Sequence, residues 1–275
     1  MTPPKGVVAK LARAAEHRDA LNREFDSFMQ PEANTPWAVV IEFNFDVGEC
    51  RIVWHQATET PLRWSVILGE FLHNVRSALD HLARELVIAN GGKPSRDTAF
   101  PVYDTEDNFK GGAGSKIAGM ETDAKAVIQE LQPFNEWPEH PRQTTLWQIN
   151  DLRNIDTHRL LHLSDPWVFS AQFRFVLPGN VAQDLIRPVV PPRRQRLYDK
   201  TVIAAFEWDP GDMRGLGEQD VKMEFDLSLD VALAEGDWVD KRGNPTGGMA
   251  LRHLMNVALD YMSTTVLPKV DPFLI

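Results

Sequence analysis

Thirty residues, Pro61 to Asn90, constrain this chain more than any other stretch. Leu68, Phe71, Val75, Leu79, Leu82 and Leu86 recur at steps of three and four, which sets them on one stripe of an α-helix. Pro61 suits a first helical turn, where its missing N–H costs nothing. Gly91-Gly92 stops the helix. So long a helix with one apolar stripe must lie against other elements, so the chain must build a packed helical layer.

The opposite face is polar. At about 100° per residue, His73, Arg76, Ser77, Asp80 and Arg84 lie away from the stripe, and His81 lies between the two faces. Asp80 can pair with Arg76 or Arg84 one turn away. A second helix is predicted over Thr144 to Leu163, capped by Thr144 or Thr145 and ended by Asp165-Pro166. Leu146, Ile149, Leu152, Ile155 and Leu160 form its apolar side. Asp151, Asn154, His158 and His162 share another face, flanked by Arg153, Asp156 and Arg159. Histidine and asparagine are unusual on a solvated face, where Glu and Lys dominate. They serve either as a polar layer between helices or as a functional site.

Around these helices the pattern changes along the chain. Residues 6 to 29 read as an amphipathic helix. WAVVIEFNF and CRIVWHQATE flank the turn Asp46-Val47-Gly48-Glu49 and read as a hairpin. Ala99 to Tyr103 reads as a short edge strand, Lys110 to Ser115 as a glycine-rich loop, and Thr122 to Leu131 as a short helix. After residue 165, VFSAQFRFVLP, TVIAAFEW and VKMEFDLSLDV are strand-like, and the Pro/Arg-rich stretch 187–196 reads as a loop. Pro245 to Leu267 closes the chain as a helix. The expected class is α+β: a helical bundle-like half with an antiparallel β-sheet and a C-terminal helix. A division at 165 would give a mainly helical part, 1–165, carrying the hairpin, and a β-rich part, 166–275. One integrated domain results instead if the early hairpin joins the later strands.

Charge and cysteine content narrow the function. The formal charge is −10, which disfavours non-specific contact with phosphate backbones or anionic lipid. Cys50 is the single cysteine, so an intramolecular disulfide and a multi-cysteine zinc site are excluded. The N-terminal segment lacks the apolar run of a signal peptide, and no run of about 18 apolar residues exists. A cytoplasmic location without membrane contact is the expectation.

Arg153-Asn154-Ile155-Asp156-Thr157-His158 resembles the Arg-Asn-x3-His signature of the HEPN superfamily. Arg76-Ser77-Ala78-Leu79-Asp80-His81 has the same Arg-x4-His spacing without the asparagine. HEPN proteins are helical and usually dimeric, and many are metal-independent endoribonucleases of toxin and defence systems. The resemblance implies a homodimer acting on RNA in a bacterial or phage defence setting. Arg153 and His158 would be its catalytic pair, Asn154 its support, and Arg76 and His81, with His73 and Asp80 beside them, the alternative set. The phrases FLHNVRSALDHLA, AFPVYD, LQPF and NIDTHRLLH together also resemble a family of bacterial and phage proteins without an assigned activity, which transfers none.

Two other readings stay open. His158 and His162 form an H-x3-H pair, which with His73 could hold zinc or another divalent metal, in the manner of DinB-like helical bundles. A non-enzymatic interaction or structural protein would use the same polar faces as a packed seam.

Overall fold

A computed structural model describes residues 3–29, 37–161, 163–179, 183–190, 195–233 and 249–274. The chain forms two compact units, interleaved in sequence. One comprises Met1–Arg23, Leu62–His162 and Leu233–Ile275; the other comprises Glu24–Pro61 and Leu163–Ala232. The class is α+β, as the hydrophobic periods imply. No single cut near residue 165 separates the units. The early hairpin belongs with the later strands, and the C-terminal helix belongs with the helical unit.

The helical unit is built on α2, Leu62–Ala89. Its stripe is buried as expected, but Leu72, Asn74, Ala78, Ala83 and Val87 are buried as well. The helix is therefore covered on more than one side. On one side lies α1, Lys5–Met29, which presents Val7, Ala14, His17 and Leu21 as a narrow buried seam. Also packed on α2 are α6, Thr145–His158, and α7, Leu251–Tyr261. Close approach of α2 and α6 needs Gly69, because a Cβ there would overlap the Asp156 carboxylate. After α7 the helix widens into a π turn, Met262–Val266, before α8, Leu267–Val270. Pro268 has no N–H for the Thr264 carbonyl, so a regular α ladder cannot run through.

Three sequence expectations fail here. Ala99 to Tyr103 is not a strand and pairs with none among the described residues. Ala99 N–H donates to Lys116 O at 3.3 Å, and the groups of Phe100, Pro101 and Tyr103 pair with side chains. Phe100 N–H donates to Asp80 Oδ1 at 3.0 Å, and Phe100 O accepts from Arg76 Nη2 at 2.7 Å. Tyr103 N–H donates to Gln132 Oε1, and Gln132 Nε2 donates to Pro101 O, both at 3.0 Å. The glycine-rich stretch is not all loop. Glu106–Gly112 is a helix, α3, with Thr105 accepting from Asn108 N–H as its N-cap. Phe109 is buried from it, and Gly112 fits because a Cβ would strike the Tyr103 hydroxyl. Finally, α6 ends at His158, because Arg159 is fully extended at φ −159° and ψ 154°. Leu160 keeps the apolar spacing but is exposed.

Short helices complete the unit: α4, Thr122–Glu130, and α5, Pro133–Glu136. Between α2 and α3, Asp104 accepts from Arg142 at 3.0 and 2.8 Å and from Asn108 at 3.3 Å. Burial alone would raise the Asp104 carboxyl, but those donors outweigh it and hold it below the ordinary value. A depressed carboxylate stabilises the fold above its unfolded pKa of about 4 and loses that contribution as pH falls through the folded value. Asp104→Asn should therefore cost about 1 kcal/mol at neutral pH, discounted because Arg142 is exposed. The gap between the variant and the parent in urea unfolding should shrink below about pH 4.

The strand-rich unit starts from the predicted hairpin, β1 at Trp37–Asn44 and β2 at Glu49–Gln56. Trp37 stacks on Trp54 with ring centres 4.9 Å apart. The hairpin does join the later strands, because β2 pairs antiparallel with β6, Thr201–Glu207. Outside β6 lies β4, Arg187–Val190, so the first sheet runs β1-β2-β6-β4. Part of the expected 187–196 loop is thus strand. In the second sheet β3, Leu163–Val176, lies between β5, Gln195–Arg196, and β7, Lys222–Leu233. Phe173 and Phe175 of β3 meet Phe206 of β6 edge-on, at 6.0 and 5.0 Å, so the two sheets face each other across aromatic rings. Cys50 lies in this core, where burial, helped by Glu49, pushes its thiol up to about 12. It is no nucleophile at neutral pH.

Candidate functional site

The polar faces of α2 and α6 do approach each other, through part of their residues. Arg76 is the centre. Its side chain is only 12% exposed, and Nη2 lies 2.9 Å from Asp80 and 2.7 Å from Phe100 O. Burial lowers its pKa, the Asp80 charge raises it and the nearby Arg153 charge lowers it again. Nη1 is buried with no hydrogen-bond partner among the described residues. Two guanidiniums, one from each helix, thus sit near each other.

Beside them the exposed His73 of α2 lies within electrostatic reach of Asp156 of α6. Burial pushes the Asp156 carboxyl up, and the charges of His73 and Arg153 pull it back. Gly69 makes room for that carboxylate. The seam therefore holds His73 and Arg76 from α2 with Arg153 and Asp156 from α6, with charges of both signs.

The other candidates go elsewhere. His81 faces α1, since a Cβ on Gly6 would come within 2.7 Å of its Nδ1. Asn154 and His158 are exposed on α6, one turn apart and on one face. Arg153 is five residues from His158, about 7.5 Å along the axis and roughly 140° around it. Its Nη1 donates to Asn154 Oδ1 at 3.3 Å, so the asparagine links the arginine to the outer face. His162 lies outside the described residues, and the helix stops at His158, so the H-x3-H helical spacing has no helix beneath it.

No protein-family model matches the chain, and no curated protein or solved structure is significantly similar to it. Among the described residues, no group of three or more His, Cys, Asp or Glu side chains is placed to hold a metal ion. Among them, too, no helix is long and apolar enough to cross a membrane.

Periodicity missed several buried polar positions, His17 and Gln132 among them. His17 Nδ1 lies 3.3 Å from Glu70, inside the α1 seam. Burial, then the Arg13 charge, lower its pKa against the pull of Glu70 and Glu16. Gln132 is fully buried and pairs three ways, to Tyr103 N–H and to the carbonyls of Pro101 and Ile128. A histidine at the i+3 position from Ala14 in an apolar seam was the available signal for the first. Gln132 had none, because two of its three partners, Pro101 and Tyr103, come from a loop about thirty residues away.

Proposed function

We propose that the chain is a metal-independent endoribonuclease of HEPN-like type, working through Arg153, Asn154 and His158 as a homodimer. The observation that carries this reading is how differently the two Arg-x4-His matches are employed. Arg76 and Asp80 are committed to the Phe100 backbone, and His81 to α1. Asn154 and His158 stay exposed, and Arg153 reaches Asn154 through a hydrogen bond. In this reading His158 removes the proton from a ribose 2′-hydroxyl. The 2′ oxygen bonds to phosphorus, the bond to the 5′ oxygen breaks, and that oxygen takes a proton from water. Arg153 offsets the charge that develops on the phosphate. The products are a 2′,3′-cyclic phosphate and a 5′-hydroxyl. The wide angle between Arg153 and His158 on one helix is the reason for a second copy, whose α6 supplies the missing direction.

Labelled single-stranded RNA incubated in EDTA tests this. Parent protein should cleave it, and Arg153→Ala and His158→Ala should each lose at least about a hundredfold in rate. Their unfolding free energies in urea should stay within about 1 kcal/mol of the parent, because His158 is exposed and the half-buried Arg153 donates to an exposed asparagine. RNA with a 2′-deoxy residue at the cut should resist. Absent cleavage by the parent, or cleavage unaffected in both variants, sinks the reading. The committed Arg76–Asp80–Phe100 contacts favour a second reading, a non-enzymatic interaction protein whose polar seam only packs α2 against its neighbours. It predicts no cleavage under any of these conditions.

A further inference from the structure

At the opposite end of α6 lies a cavity of ≈ 390 Å³, lined by Glu136, Trp137, Gln143, Thr144 and Thr145. That size is within the range of small-molecule sites, about 300–1,000 Å³. Its walls differ in chemistry. Trp137 supplies a flat apolar face, held edge-on against His140 with centres 5.0 Å apart. Glu136 ends α5 and supplies a carboxylate. Tyr261 donates to its Oε2 at 3.1 Å and occupies one of about four lone-pair directions. Glu136 as a residue is exposed, yet protein crowds its carboxyl enough that desolvation raises its pKa, against the Tyr261 hydrogen bond and the Lys269 charge.

Tyr261 is the last residue of α7, where the π turn begins, and such widened turns concentrate at functional sites. The third wall is the first turn of α6. Thr144 Oγ1 caps Trp147 N–H, so that donor is satisfied. The Thr145 N–H has no acceptor within the helix, and Thr145 lines the cavity. The positive end of the helix dipole favours an acceptor atom there and disfavours a cation.

The cavity thus offers a stacking face, a carboxylate that accepts, and a helix start that donates. A planar ring with two adjacent N–H donors next to a carbonyl fits all three. Guanine has that edge: N1–H and N2–H₂ beside O6. Adenine presents an acceptor at N1 and no carbonyl, and inosine lacks the N2 amine. We propose that this cavity takes a guanine base, stacked on Trp137, with Glu136 accepting from N1–H and N2–H and the first turn of α6 donating to O6. The inference rests on the RNA reading above and adds to it a base that the protein recognises. Thr145 and Arg153 are eight residues apart on one helix, about 12 Å, so base and phosphate sites lie along one rod. Single-stranded RNA is read in this way, through bases unstacked onto aromatic side chains.

Ligand-observed NMR titration of the full chain with guanosine, inosine, adenosine and tetramethylammonium tests the assignment. Nucleosides carry no phosphate, so Arg153 and His158 have nothing to hold and the readout is independent of cleavage. Guanosine should bind, inosine more weakly, and adenosine at least about tenfold more weakly than guanosine. Glu136→Gln keeps the shape and can still accept from Tyr261. It should weaken guanosine about tenfold or more and abolish the preference over adenosine. Trp137→Leu should weaken all three nucleosides. No guanosine binding at millimolar concentration, equal affinity for adenosine, or tetramethylammonium binding tighter than guanosine overturns the assignment. The two readings fail separately. Guanosine binding without RNA cleavage removes the ribonuclease and keeps the base site. Cleavage without guanosine binding and without a guanine preference near the cut removes the base site alone.

Discussion

Gly48→Ala should destabilise the strand-rich unit by about 3 kcal/mol or more, a large effect for a single added methyl group. Gly48 closes the β1–β2 hairpin at φ +70°, in the left-handed region. Any side chain pays about 1–2 kcal/mol to stay there. The larger cost comes from crowding. A Cβ at this position would overlap the Trp208 carbonyl oxygen, and that oxygen belongs to backbone, which cannot rotate away. The same turn is fixed from the other direction, since Trp208 N–H donates to Gly48 O at 2.9 Å. The turn must therefore either release Trp208 from its buried position or distort, at an overpacking cost of about 1–3 kcal/mol. Urea unfolding followed by tryptophan fluorescence would measure it. A loss under about 1 kcal/mol would mean that the turn can flip freely, contrary to the packing described.

Arg76→Ala should cost about 3 kcal/mol, and for a different reason. The guanidinium is buried, donates to Phe100 O and faces Asp80. Removing it leaves a carbonyl without its donor and a half-buried carboxylate without its counter-charge, and breaking one side of such a pair is strongly destabilising. Arg76→Lys should recover only part, because the lysine side chain is shorter and its ammonium falls short of the position from which Nη2 holds both acceptors. If the ribonuclease reading is right, cleavage per folded molecule should barely change in Arg76→Lys. A variant of full stability with no cleavage would instead move Arg76 into the reacting site.

The sequence made α2 legible because its apolar stripe persists along the whole helix and every member of it is buried. The hairpin was legible because β-branched residues flank a four-residue turn. The far end of α6 misled for a local reason. Leu160 continues the spacing, but spacing says nothing about whether Arg159 stays helical, and there the backbone extends. Ala99 to Tyr103 misled because strand-like residues advertise only a preference for extended backbone. Which groups then take its hydrogen bonds depends on Arg76, Asp80 and Gln132, which approach from elsewhere in the chain. The site was half legible on the same principle. Periodicity could name His73, Arg76, Arg153 and Asp156 as polar-face residues. It could not say that His81 turns to α1, since that depends on a glycine seventy-five residues away. The Glu136–Trp137 cavity was invisible, because short helices and loops without any period make it.

Interleaving of the two units has a consequence for synthesis. The free edge of β2 is complete once Gln56 is made, but its partner begins only at Thr201. At about 5–20 residues per second, some 145 residues of waiting amounts to roughly 7–30 s on the ribosome. During that interval a hairpin with Ile52, Val53 and Trp54 on β2 has an unpaired edge, the template on which chains add to one another. The nascent chain is thus most exposed to self-association while its helical middle is being translated, and slower elongation there lengthens the hazard.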